Sequence, residues 1–307
     1  MNSREYFVEY EGIIDDWDNF QEKIKEPAPQ ALRVNGWKSA ADNLWTELKT
    51  RDCEPLVSPY FSNLYYWNNE TISASQTISH WAGYYYIQDP VTLLPVKVLA
   101  PVSGECVLDL CAAPGGKTFY ISELVGPEGT VVANDSSSGR LQALQSNLQR
   151  LGVPNVIMTA YDGQSVPETR KFSAVLVDAP CSGEGSGRYH DHAPREVTAG
   201  ERSRLMRTQY LLLKKAARLV ETGGRVVYST CTFSPMENEA VVDRVVSETE
   251  LEIAEVELDL PYDQGVSEWQ GEKYSEAVKR MLRCYPQHYD GGGMVIALLR
   301  KGTGSDE

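Results

Sequence analysis

Residues 104–118 read GECVLDLCAAPGGKT. A glycine turn and a short apolar run predict a buried parallel strand at 106–111, CVLDLC, leading into a tight turn and a helix. Small side chains and glycines let backbone approach a ligand closely. The segment ends in Gly-Lys-Thr, as a phosphate loop does, but that loop requires a glycine where Cys111 stands. The dinucleotide pattern G-x-G-x-x-G is absent as well. A nucleoside triphosphatase is disfavoured. A small-molecule site of another kind remains open, and so does a purely structural strand-to-helix turn.

The same strand-then-helix rhythm continues downstream. TVVAND (130–135) follows a Gly-Pro-Glu-Gly turn and reads as a second strand. Ser136 to Ser138 offer caps to a helix carrying Leu141, Leu144, Leu148 and Leu151 on one face and ending at Gly152. VIMTAYD (156–162), FSAVLVDAP (172–180) and GRVVYSTCT (224–232) supply three more strands, with a long helix at 203–220 before the last. LEIAEVEL (251–258) and MVIALLRK (294–301) read as a closing pair. Seven strands with interleaved helices predict an open, Rossmann-like α/β sheet.

Residues 1–100 are organised differently. Short apolar segments alternate with turn signals, and aromatics are frequent. Helices are predicted at 15–25 and 38–50 and a strand within WAGYYYIQ (81–88). Asp89-Pro90 offers an N-cap and an N1 proline to a helix through VTLLPVKVL. A smaller N-terminal α+β domain is expected over 1–90, with the α/β domain at 91–302.

Composition limits the function. The 307 residues carry a formal net charge of −14, which argues against coating nucleic acid through bulk charge. The arginines and lysines of 188–225, among them Arg188, Arg195, Arg202, Arg204 and Arg207, allow a local basic patch or a solvated helix face. The acidic run from Glu237 to Glu272 has no reading beyond solubility. No apolar run is long enough to span a membrane, and the first residues lack a signal pattern. A cytoplasmic protein, acting as a monomer without metal or membrane, is expected. The six cysteines form no C-x-x-C pair, so neither a disulfide framework nor a zinc site is expected.

Ligands of open α/β sheets bind beyond the carboxyl ends of the strands. Here each predicted strand ends in chemistry. Asp135 is placed to bind ribose hydroxyls or to cap a helix. Asp162-Gly suits an adenine amino group or a turn. Asp178-Ala-Pro-Cys181 and Ser229-Thr-Cys231 would deliver two thiols and a carboxylate to one crevice if their strands are neighbours.

CAAPGGKT, DAPCSG and STCTFSPMENE together resemble the Sun-domain (NSUN-type) family of RNA cytosine-5 methyltransferases. GYYYIQDPVTLLPV, RVNGWK near 33–38 and YPQHYDGGGMVIALLRK extend the resemblance over most of residues 28–301, with Thr92 standing where a serine is usual. The resemblance implies a seven-stranded S-adenosylmethionine-dependent methyltransferase domain, with S-adenosylhomocysteine as product. It implies that Cys111, Ala112, Ala113, Pro114, Gly115, Gly116 and Lys117 hold the methionine and ribose parts, and that Asp135 binds the ribose and Asp162 the adenine. Arg140 would contact the far side. Asp178 would lie between cofactor and base, Cys231 would be the nucleophile and Cys181 would assist product release. The substrate would be a cytosine of tRNA or rRNA. A DNA cytosine-5 methyltransferase would draw its nucleophile from the Pro-Cys motif, here Cys181, whereas the Thr-Cys motif points to RNA. A catalytically silent RNA-binding or assembly factor would share the fold.

Overall fold

In a computed structural model, residues 7–38, 41–50, 53–69, 71–189 and 197–303 are described. Arg195 lies outside them. The N-terminal part builds a four-stranded antiparallel sheet from β1 (Ala31–Val34), β2 (Leu56–Val57), β3 (Leu64–Tyr66) and β4 (Tyr85–Ile87), in the order β2-β3-β1-β4. Leu44 and Leu48, one turn apart on the helix Ala41–Thr50, are buried against Leu32 and Tyr85. The strand expected at 81–88 is shorter, because Ile78–Trp81 forms one helical turn capped by Thr77, whose hydroxyl accepts from His80 N. Asp89 caps the next turn as predicted, accepting from Val91 N at 3.0 Å, and the chain continues helically to Leu99.

The large sheet contains β5 (Cys106–Asp109), β6 (Thr130–Asn134), β7 (Val156–Thr159), β8 (Phe172–Asp178), β9 (Val220–Thr230), β10 (Leu251–Ile253), β11 (Asp263–Gln264), β14 (Leu282–Cys284) and β15 (Met294–Lys301). A separate hairpin joins β12 (Glu268–Trp269) and β13 (Glu272–Lys273). The path runs β11-β14-β15-β9-β8-β5-β6-β7, parallel from β9 to β7 and antiparallel at β15. The expected closing pair does form, Leu251 opposite Lys301, although β10 ends at Ile253.

Nine strands replace the expected seven. β14 was not legible because Arg283 sits at its centre, where a charge argues against a buried strand. Both its guanidinium and the carboxylate of Glu239 are fully buried and joined by two bonds of 2.7 Å. This also accounts for the start of the acidic run: Glu237 and Glu239 are interior residues.

Period-two alternation sorts the strand residues onto two faces. Leu108, Leu110, Val175 and Val177 pack with the helices Ala199–Leu219 and Glu239–Glu248. Val107, Ala174 and Leu176 pack with the helices Leu94–Leu99 and Gly116–Val125. On the helix Ser138–Leu151, Leu144, Leu148 and Leu151 are buried as the spacing predicts. The RVNGWK segment seats the small sheet on the helix Gly116–Val125. Arg33 pairs with Glu123 and lies 4.1 Å over the Phe119 ring, and Trp37 Nε1 donates to Ser122 Oγ at 3.2 Å. The sheet order reverses between β5 and β8, and that switch point is where an open α/β sheet leaves a crevice.

Candidate active site

The crevice at the β5–β8 switch is a cavity of about 250 Å³. Its floor is the turn Cys111–Lys117, and Asp109 and Asp178 close one side. Tyr86 and Gln88, from β4 and the residue that follows it, cover it from the small sheet. Glycine is required in the turn. Gly115 has φ +109°, and a Cβ on Gly116 would stand 2.8 Å from Tyr86 Cε1. The helix Gly116–Val125 begins here, so its amino-terminal end faces the cavity.

Lys117, in that helix's first turn, donates from Nζ to Asp178 Oδ2 at 2.9 Å. Ser229 Oγ donates to Asp178 Oδ1 at 2.8 Å, because Asp178 and Ser229 are register partners on β8 and β9. Burial works against the Lys117 charge, but the Asp178 carboxylate outweighs it and holds the ammonium above its usual range.

Parallel neighbours ending in step carry their next residues to one place. Cys181 and Cys231 have Sγ atoms 3.3 Å apart. The Cys181 thiol, hydrogen-bonded to Cys231 and buried, is pushed well above the ordinary range. Cys231 moves the other way: the hydrogen bond from Cys181 lowers it, helped by Lys117 and opposed by burial and Asp178. Within the pair Cys181 is thus the sulfur that keeps its proton, and Cys231 the one whose ionisation is favoured. Among the described residues Cys111 is the cysteine that lines the cavity, which the thiol pair adjoins through Asp178 and Lys117; burial and Asp109 push it up, and it stays a neutral thiol.

The loops bearing the two thiols are tied together from behind. Ser182 Oγ donates to Thr232 Oγ1 at 2.6 Å. Glu184 accepts from Thr232 Oγ1 at 2.8 Å, Phe233 N at 3.1 Å and Tyr10 Oη at 3.0 Å. Glu237 accepts from Ser182 N at 3.1 Å and Gln209 Nε2 at 2.9 Å. Arg202 reaches both carboxylates, at 3.4 Å and 3.7 Å. Gly185 N donates to Cys231 O at 2.8 Å, and a Cβ there would lie 2.2 Å from Gly293 O.

Two expectations about the basic stretch change. Arg202 is the cation of this internal clamp. Arg188 is buried, donating to Gly291 O at 2.8 Å, Glu26 O at 3.0 Å and Asp290 Oδ1 at 2.8 Å. Neither presents its charge to a phosphate. Arg204 and Arg207 are exposed on the first turns of the helix Ala199–Leu219.

The remaining predicted positions divide. Asp135 is buried. It accepts from Ala113 N at 3.3 Å and Ser137 N at 3.0 Å, and Arg140 pairs with it at 3.4 Å while also bonding Ala113 O. Asp135 thus ties the glycine turn to the N-cap residue of the next helix, Ser137, and is not itself the cap. Asp162 lies three residues beyond the end of β7, exposed, with Oδ1 accepting from Gln164 N at 3.1 Å. It does not line the cavity that holds Lys117 and Asp178.

Two residues of the cavity were missed. Asp109 is buried; Thr118 Oγ1 donates to its Oδ2 at 2.7 Å, and its Oδ1 has no partner among the described residues. Burial pushes its carboxyl up to about 7. Gln88 Oε1 is a second buried acceptor without a partner among the described residues. The signal for Asp109 was present: an acid inside an apolar strand needs a reason. Two orphaned acceptors, a glycine turn and a nearby helix end suit the ammonium, carboxylate and ribose groups of S-adenosylmethionine, so the residues present fit that cofactor. Among the described residues no cluster of three His, Cys, Asp or Glu side chains is arranged for a metal, and no helix is long and apolar enough to cross a membrane.

Known proteins match this architecture. The chain is 33% identical over 297 residues to a tRNA (cytosine(49)-C(5))-methyltransferase of Pyrococcus abyssi, covering 96% of this chain and 95% of that one. It is 34% identical to a 28S rRNA (cytosine-C(5))-methyltransferase of Mus musculus, of which it spans 37%. It is 32% identical to the ribosomal RNA small subunit methyltransferase F of Erwinia tasmaniensis, of which it spans 63%. A crystal structure of a methyltransferase homolog from Pyrococcus horikoshii superposes with a TM-score of 0.83 at 29% identity, over 97% of this chain and 95% of that one. Residues 96–300, which hold the glycine turn, both thiols and the whole parallel sheet, match the family described as 16S rRNA methyltransferase RsmB/F, and the chain belongs to that family.

Proposed function

We propose that the chain is an S-adenosylmethionine-dependent RNA (cytosine-5)-methyltransferase acting on transfer or ribosomal RNA. The observation that carries this reading is the Cys181–Cys231 contact of 3.3 Å beside the Lys117–Asp178 ion pair. The names of relatives acting on tRNA and rRNA cytosines support it. In this reading residues 91–302 are the catalytic domain and residues 1–90 an RNA-binding or accessory region.

Carbon 5 of cytosine is a weak nucleophile. A thiolate bonded to carbon 6 turns the ring into an enamine-like adduct whose carbon 5 is reactive. Cys231 is assigned that thiolate, with the Cys181 S–H and the Lys117 charge stabilising it before attack. Asp178, held by Lys117 and Ser229, is assigned to the base's nitrogen 3, where it steadies the adduct by a hydrogen bond. S-adenosylmethionine supplies the methyl group when bound. Residues 111–117 are assigned its methionine and ribose parts, with Asp109 and Gln88 as acceptors for its ammonium. Asp135 takes the ribose hydroxyls, Arg140 the far side and Asp162 the adenine. Release needs the carbon 5 proton removed, so that its electrons re-form the 5,6 double bond and expel the Cys231 thiolate. A water receives that proton, or Cys181 does once its own S–H proton has passed to water. Arg204 and Arg207 are assigned to phosphates flanking the target.

Incubating the purified chain with methyl-labelled cofactor and transfer RNA, then digesting to nucleosides, tests the reading. Labelled 5-methylcytidine is expected. Label in another nucleoside, or none with either transfer or ribosomal RNA, would refute it.

A further inference from the structure

Lys38 and Arg150 meet at the seam between the small sheet and the helix Ser138–Leu151. Lys38 Nζ donates to Arg150 O at 3.1 Å and to Ala82 O. Arg150 Nη1 donates to His80 O at 2.6 Å and Tyr85 O at 3.3 Å. Every acceptor is a backbone carbonyl, and neither cation forms an ion pair among the described residues. That is unusual in a chain of net charge −14, in which Arg33, Arg188, Arg202, Arg225 and Arg283 each pair with a carboxylate. Like charges held together without an acid cost free energy unless an anion arrives. The carboxylate of Glu47 is turned to the far end of the Ile78–Trp81 turn, accepting from Ile78 N at 3.0 Å and Ser79 N at 2.8 Å.

Between His80 and Ala82, whose carbonyls accept from Arg150 and Lys38, stands Trp81, 83% exposed, with Ile78 71% exposed on the same turn. The Tyr84 ring lies 5.8 Å from Lys38 Nζ. A projecting indole next to unneutralised cations has the two elements that hold a single-stranded nucleotide, a stacking platform and a phosphate partner. We infer that Trp81, Lys38 and Arg150 form an accessory site for one unpaired nucleotide of the RNA substrate, the base on the indole and its phosphate at the cations. The site rests on the RNA reading above for the identity of its strand. Trp81 is joined to the cavity by β4, whose Tyr86 lines it.

The test is filter binding of unfractionated transfer RNA and of a short oligouridylate to the full chain and to Trp81→Ala, Trp81→Phe and Lys38→Gln, across a salt series. Trp81→Ala should weaken binding about fivefold or more, and Trp81→Phe should restore most of it. Lys38→Gln should reduce the slope of log K against log salt by about 1. Binding of S-adenosylhomocysteine, followed by calorimetry, should be unchanged in all three, which also reports intact folding. Wild-type affinity in Trp81→Ala together with an unchanged slope in Lys38→Gln would overturn the site. The two readings fail separately. A chain that methylates RNA equally well with Trp81→Ala loses only the accessory site. One that binds oligouridylate through Trp81 but makes no 5-methylcytidine loses only the methylation reading.

Discussion

Asp178 on β8 and Ser229 on β9 are register partners, and the Ser229 hydroxyl donates to the Asp178 carboxylate at 2.8 Å. The backbone ladder behind that bond fixes the step in which the two strands end. It therefore fixes where the next residues fall, with Cys181 and Cys231 in contact at 3.3 Å. The parallel pairing of two apolar runs thus becomes the geometry of a reactive pair. The clamp of Arg202, Glu184 and Glu237 behind the loops preserves it.

The direction of the Cys231 shift gives a pH prediction. Its thiol titrates below the ordinary 9.0 because Cys181 donates to the thiolate, so alkylation by iodoacetamide should reach half its maximal rate below that pH. Replacing Cys181 by alanine removes the donor and leaves burial and Asp178 opposing ionisation. The midpoint should then move upward. Mass spectrometry of the Cys231 peptide across a pH series measures both.

Asp109 predicts a pH-dependent stability. Its carboxyl sits near 3.8 unfolded and about 7 folded, so the folded state binds the extra proton between those values. Stability from this group is full below 3.8 and is lost as pH rises to about 7, at about 1.4 kcal/mol per unit. Asp109→Asn should flatten that loss, seen in urea unfolding at several pH values. The same variant should bind S-adenosylhomocysteine more weakly, because it removes an acceptor that lines the cavity.

Arg202 is the cation between two carboxylates that are 1% and 0% exposed. Arg202→Met leaves both buried without it and should cost about 3–5 kcal/mol in urea denaturation. A loss below about 1 kcal/mol would mean that the clamp does not hold the loops.

Much of this was legible in the sequence, for a physical reason. A parallel strand buried on both faces is a continuous apolar run, so CVLDLC, TVVAND and FSAVLVDAP announce themselves, as does the buried antiparallel MVIALLRK, and the residues at their ends follow. What stayed hidden depended on a partner far along the chain. Arg283 reads as a surface charge until Glu239 is seen beside it. Arg188 and Arg202 read as members of a basic patch or a solvated face until their carboxylate and carbonyl partners are known. Asp109 lies within CVLDLC and Gln88 within GYYYIQDPVTLLPV, but only the packing of the small sheet against the large one brings the two to one cavity.

The claim at the centre is a division of labour, Cys231 forming the bond to the base and Cys181 helping to break it. Denaturing gel electrophoresis and intact mass measurement of protein incubated with RNA and S-adenosylmethionine test it directly. The account predicts that Cys181→Ala accumulates a covalent protein–RNA species, and that Cys231→Ala and the double variant give neither that species nor 5-methylcytidine. An adduct that persists when Cys231 is replaced, or full methylation by Cys231→Ala, would contradict it.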